Sequence, residues 1–69
     1  MSNRMLEWLG EHDVTITDVS GLSGYSVAYL SLISRGKRTP PPRVKIAIAR
    51  AVQARVGDLF PAESQEQVR

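Results

Sequence analysis

Apolar side chains along this chain recur at helical rather than strand spacing. Met5, Trp8, Leu9 and His12 fall at i, i+3, i+4 and i+7 and share one stripe, which predicts a first helix over 3–12. Ser2 or Asn3 stands where its cap is needed. Trp8 is expected as a core anchor and His12 as a boundary residue at the helix end. Gly10 weakens the helix by roughly 1 kcal/mol relative to alanine. The next start is well marked. Thr15-Ile16-Thr17-Asp18 has the form of a capping box, with Val14 and Val19 at the positions of a hydrophobic staple. A second helix over 16–23 follows, with Val19 and Leu22 expected to face inward. Ser20 and Gly21 are small and permit close approach of another helix.

Gly24 can take the left-handed backbone that closes this helix. Ser26 can cap a third helix over 27–35, in which Leu30 and Ile33, with Tyr29 beside them, give one apolar side to bury. Gly36 ends it. A link of about three residues forces the second and third helices to cross steeply, as in a helix-turn-helix unit. Thr39-Pro40-Pro41-Pro42 is a stiff connector, and Pro42 suits the first position of a fourth helix over 42–53. That helix is apolar over most of its circumference, so it is expected to pack on more than one side. Arg43 and Arg50 share a face, and Lys45 is placed with its stem on the core edge and its ammonium escaping. Val56–Phe60 reads as a short fifth helix stopped by Pro61. Leu59 and Phe60 either close the base of the core or meet a second chain. The pattern therefore predicts an all-α, five-helix domain over 1–61, with 62–69 a polar, flexible tail.

Composition narrows the function. Sixty-nine residues hold one domain, and the absence of cysteine removes disulfides and thiolate metal sites. One histidine cannot supply a metal cluster. Acids within the first apolar run argue against a signal peptide, and no apolar stretch spans a bilayer, so a cytoplasmic location is expected. No nucleophile–base–orienter set is present, no paired acids and no phosphate-cradling glycine loop, so neither an enzyme nor a cofactor is expected. The net charge of +2 conceals a segregation: residues 19–57 carry Arg35, Lys37, Arg38, Arg43, Lys45, Arg50 and Arg55 and no acid. A one-signed block on a folded domain is the footprint of a polyanion partner.

Over about residues 5–61 the chain resembles the lambda-repressor-like DNA-binding domains of Cro, phage repressors and Xre-type regulators. The resemblance rests on the capped start Thr15…Asp18-Val19, the turn Gly24-Tyr25-Ser26 and the run Tyr29 to Pro40. It closes with Ile48 to Val52 and Val56 to Phe60. It implies a compact five-helix bundle whose second and third helices form the DNA-reading pair. By position it implies base contacts from Val27, Ala28, Ser31 and Leu32. Phosphate contacts would come from Thr15, Ile16, Thr17, Ser26, Lys37, Arg38 and Arg43, with Arg35 at the edge. The chain departs from the family pattern at Gln53, where glycine is usual, at Arg55, where a small cap is usual, and at Lys45, where an apolar residue is usual.

The base-facing positions lack the long Gln, Asn or Arg readers and offer mainly van der Waals contact, best to a thymine methyl, so phosphates are expected to supply most of the affinity. The function expected is that of a sequence-specific transcriptional regulator, a small Cro-like or phage repressor on double-stranded operator DNA. It would act as a homodimer on half-sites about one helical turn apart, with Leu59 and Phe60 as candidate dimer contacts, and without membrane or small-molecule ligand. The alternative is a protein-interaction module on the same fold, antitoxin-like or adaptor, using the apolar Val27/Ala28/Leu32 face.

Overall fold

The computed structural model describes residues 3–61, so the Ser2 cap and the 62–69 tail lie outside the described residues. Five helices follow in order: α1 Met5–Glu11, α2 Ile16–Ser23, α3 Val27–Ser34, α4 Pro42–Ala51 and α5 Val56–Leu59. Among the described residues there is no strand. No helix among them is long and apolar enough to cross a membrane.

The helix starts follow local side-chain chemistry. Thr15 Oγ1 accepts the Asp18 amide at 3.0 Å and the Asp18 carboxylate accepts the Thr15 amide at 3.1 Å, a complete capping box. Ser26 Oγ accepts the Tyr29 amide at 3.1 Å and starts α3. α1 is entered through Arg4 without a side-chain cap, and Asn3, one residue earlier, accepts the Met5 amide on its Oδ1 at 2.9 Å. Its Nδ2 donates to the Ile33 carbonyl at 2.9 Å, and the Arg4 amide donates to the Leu59 carbonyl at 2.9 Å. The head of the chain is thus tied to the ends of α3 and α5. Pro42 opens α4 with its fixed φ. At α5 the Asp58 carboxylate accepts the Arg55 amide at 3.1 Å. A guanidinium carries no acceptor, so only this half of a capping box forms there.

The helix ends share one device. After α1, α3 and α4 a residue turns left-handed: Asp13 at φ 57°, Gly36 at φ 77° and Gln53 at φ 60°. The following amide then reaches back to the third-last carbonyl, Val14 to Leu9 at 2.9 Å, Lys37 to Leu32 at 2.9 Å and Ala54 to Ala49 at 2.8 Å. This is the Schellman ending, which satisfies carbonyls the helix leaves orphaned. It stops α1 at Glu11, α3 at Ser34 and α4 at Ala51, one or two residues short of the periodicity limits; α5 stops at Leu59. Gln53 takes a left-handed geometry that glycine adopts at less cost, so the turn into α5 carries backbone strain.

The core consists of Met5, Leu9, Val19, Leu30, Ile33, Val44, Ile48, Ala49, Leu59 and Phe60. α2 packs against α3 and α4, and α5 against α1 and α4. The Cα radius of gyration is 10.8 Å, close to the ~11 Å of a folded chain of this length.

Four expectations need correction. Leu22 does not face inward but is 65% exposed. The packed side of α2 runs through Ile16, Val19, Ser20 and Ser23, because the serines bind the turn: Ser20 Oγ donates to the Tyr25 carbonyl at 2.6 Å and Ser23 Oγ accepts the Tyr25 amide at 3.3 Å. Trp8 is half-buried at the core edge, where it stacks on His12 with ring centroids 3.8 Å apart; Met5 and Leu9 anchor α1 instead. Lys45 lies deeper than the core edge, at 4% exposure, within the stripe Val44, Lys45, Ile48 and Ala49, and Ile46 is the α4 residue that projects outward. Leu59 and Phe60 are fully buried, at 0% exposure, so they close the core and present no surface to a second chain.

Three of these positions set measurable stabilities. Gln53→Gly should raise stability by about 0.5–1 kcal/mol in urea titration, since relief of left-handed strain exceeds the entropy glycine adds to the unfolded chain. Gly24→Ala should lower it by about 1–2 kcal/mol. Gly24 sits at φ 86°, and a Cβ there meets no atom within 4 Å, so the backbone alone sets the cost. Phe60→Ala should cost about 3–5 kcal/mol, with a melting temperature that does not vary with protein concentration.

Candidate nucleic-acid interface

An eight-residue helix that buries one stripe must show the other. On α3, at about 100° per residue, Leu30, Ile33 and Ser34 point into the core. Ala28, Leu32 and Arg35 lie opposite, with Ser31 and Val27 along one edge. Val27 is 45% exposed and Leu32 38%; Ala28 and Arg35 are exposed and Ser31 is half-buried. The four residues assigned to base contact therefore share one continuous outward face, and three of the four are apolar. The Ser31 carbonyl is occupied by Ser34 Oγ at 2.8 Å and the Arg35 amide at 3.1 Å. Its hydroxyl makes no hydrogen bond among the described residues.

The expected phosphate ligands divide into three groups. Ser26 is exposed, and because its Oγ accepts the Tyr29 amide, its own hydrogen stays available to donate to an anion. Thr15 and Thr17 are exposed, but Ile16 is half-buried against the core, so only its backbone amide at the α2 start could meet a phosphate. The Asp18 carboxylate stands beside Thr15 and repels an anion there. Arg35, Lys37, Arg38 and Arg43 are all exposed and make no ion pair among the described residues. Arg4, away from this group, pairs with Glu7 at 3.1 Å and Glu11 at 3.7 Å; the Glu7 hydrogen bond raises the Arg4 pKa still further above the physiological range.

The turn at Gly36 brings Arg38 back along α3. The Arg38 guanidinium lies over the Tyr29 ring, 5.6 Å from its centroid, and Tyr25 tilts against Tyr29 at 5.7 Å. Both tyrosines are half-buried on the core. This aromatic ledge holds a cation against one flank of α3 by an attraction of about 0.5–1 kcal/mol. Sequence reasoning treated Tyr29 only as an apolar neighbour of Leu30 and did not pair it with Arg38. The i,i+4 spacing of Tyr25 and Tyr29 was a legible signal; the nine-residue separation of Tyr29 and Arg38, folded across a left-handed turn, was not.

Arg43 and Arg50 share the outer face of α4 with Ile46. A shallow, open depression lined by Val14, Thr17, Asp18, Gly21 and Leu22 runs along the outside of α2 and includes no α3 residue. Among the described residues no group of three histidine or carboxylate side chains could hold a metal ion. Comparison with family models, with curated proteins and with solved structures yields no match.

Ser26 permits a separation of folding from binding. Aspartate caps as well as serine, so Ser26→Asp should leave stability within about 0.5 kcal/mol of the parent chain. It replaces a donor by a negative charge, so affinity for a polyanion should fall by about tenfold or more in a fluorescence-anisotropy titration.

Proposed function

We propose that this chain is a double-stranded DNA-binding transcriptional regulator of the lambda-repressor-like, helix-turn-helix type, in which α2 braces and α3 enters the major groove. The observation that carries the reading is the outward face of α3, free of acids and followed at once by four exposed cations that bind no carboxylate of the described residues. An α-helix fits the major groove, and residues near the start of such a helix reach base edges. Val27, Ala28, Ser31 and Leu32 take that role here. Ser26, Arg35, Lys37, Arg38 and Arg43 take the phosphates, together with the backbone amides of Ile16 and Thr17; the Thr15 amide is already taken by Asp18. A single domain of this size makes few contacts, so tight binding calls for two copies on half-sites about 10–10.5 bp apart. Leu59 and Phe60 are not available to join them. A Cro-like or phage-type repressor fits this description.

A protein-interaction module is the second reading, favoured by the exposure of Val27, Leu32 and Leu22. Salt separates the two. Titration onto DNA from the protein's own promoter region and onto scrambled DNA, at low and near-physiological salt, should show preference for the promoter and steep weakening with salt. The double variant Lys37→Ala/Arg38→Ala should weaken binding to both DNAs and reduce the log K against log salt slope by about 2, one for each phosphate contact removed. Absence of binding to either DNA at low salt overturns the regulator reading in favour of the interaction module.

A further inference from the structure

We propose that the outward face of α3 reads the C5-methyl group of pyrimidines, accepting thymine and 5-methylcytosine alike, so that DNA binding by this chain responds to cytosine methylation. The inference rests on the DNA-binding reading above and names what that site recognises.

The face lacks a side chain with a fixed hydrogen-bonding role toward pyrimidines. In the major groove thymine presents an O4 acceptor and a C5-methyl, whereas cytosine presents an N4 amino donor at the same level. Telling them apart at position 4 requires a side chain with a fixed donor or acceptor. Val27, Ala28 and Leu32 have neither. Ser31 has one hydroxyl that can donate or accept, so it bonds either base. Arg35 shares the face but lies about 10 Å along the axis from Ala28, and its guanidinium only donates, which suits the acceptors of guanine. What remains for the face to sense is the methyl group, and 5-methylcytosine carries that group at the same carbon as thymine.

The geometry suits methyl contact. Ala28 and Leu32 are one turn apart, about 6 Å along the helix, close to two base steps of about 3.4 Å. Val27 is 45% exposed and Leu32 38% exposed, and neither belongs to the core cluster, so both side chains have apolar surface left to cover. Arg35 shares this face and Lys37 and Arg38 follow it directly in the chain, all three exposed, which favours a polyanion over an uncharged apolar protein surface as its occupant. Covering one methyl group with such side chains strengthens binding by about fourfold.

The test starts from a pool of randomised duplexes, from which the tightest-binding site is selected at about 50 mM salt. That site is then remade with uracil, cytosine or 5-methylcytosine (the latter two paired with guanine) at each pyrimidine position of its core. Uracil in place of a contacted thymine should weaken binding by about fourfold per methyl lost, and 5-methylcytosine should bind about fourfold tighter than cytosine at the same position. Leu32→Ala should abolish the difference at one position while leaving the salt slope unchanged, an outcome that loss of folding would not produce. Equal affinity for thymine and uracil duplexes, with binding retained, overturns this inference and leaves the DNA-binding reading intact. Failure to bind any duplex overturns both.

Discussion

The burial of Leu30 and Ile33 is the constraint on which the rest of the structure depends. α3 has only eight residues, and it is held to the domain by those two side chains, the buried Ser34 and the half-buried Tyr29. With so narrow a buried stripe, the remaining circumference must stay outside. The other helices supply the apolar walls: Val19 from α2, Val44, Ile48 and Ala49 from α4, Met5 and Leu9 from α1, and Leu59 and Phe60 from α5. In a chain this short, without disulfides, each of these side chains is a substantial fraction of a stability that amounts to only several kcal/mol. The hydrogen bonds from Asn3 to Ile33 and from Arg4 to Leu59 bring the first residues into the same assembly, so the head of the chain helps to fix the helix that faces outward.

Legibility in the sequence followed the range of the interaction. Helix starts were readable because their chemistry is local: Thr15 with Asp18 and Ser26 with the Tyr29 amide each lie within one turn. Helix ends were less so, because neither Asp13 nor Gln53 is the glycine that most often turns left-handed at a helix end. Leu22 was misplaced by periodicity, since two serines took the inward face of α2 to bind the turn at Tyr25. Lys45 was placed too far out, because a lysine inside an apolar stripe reads as a boundary residue until the neighbouring helices are present. The outward α3 face was readable as far as its members went. Its connection to Arg38 through Tyr29 was not, because it depends on how the chain reverses after Gly36.

The proposed interface divides its work between two kinds of force. Exposed cations around α3 act at a distance, are screened by salt and carry no sequence information of their own. The apolar face acts only on contact and takes its selectivity from shape and from methyl groups. Had Val27, Ala28 or Leu32 been a long amide or guanidinium, hydrogen-bond geometry would dominate recognition, and a misplaced base edge would leave a donor or acceptor unpaired at a cost of about 1–3 kcal/mol. An apolar face pays no such penalty. It discriminates less sharply against wrong sequences and tolerates more of them, which places more of the burden of specificity on pairing two copies along the DNA.

The same economy explains why Ser26 and Tyr29 matter more than their size suggests. Ser26 starts α3 and in the proposed interface also donates to a phosphate; Tyr29 packs on the core and also holds the Arg38 guanidinium. In a domain with so few residues, the groups that set the helix in place are the groups that would meet the partner. A change that loosens the α3 start would therefore lower stability and binding together. A change confined to the outward face would alter affinity and selectivity without lowering stability, because Val27 and Leu32 contribute nothing to the core cluster on which the helix rests.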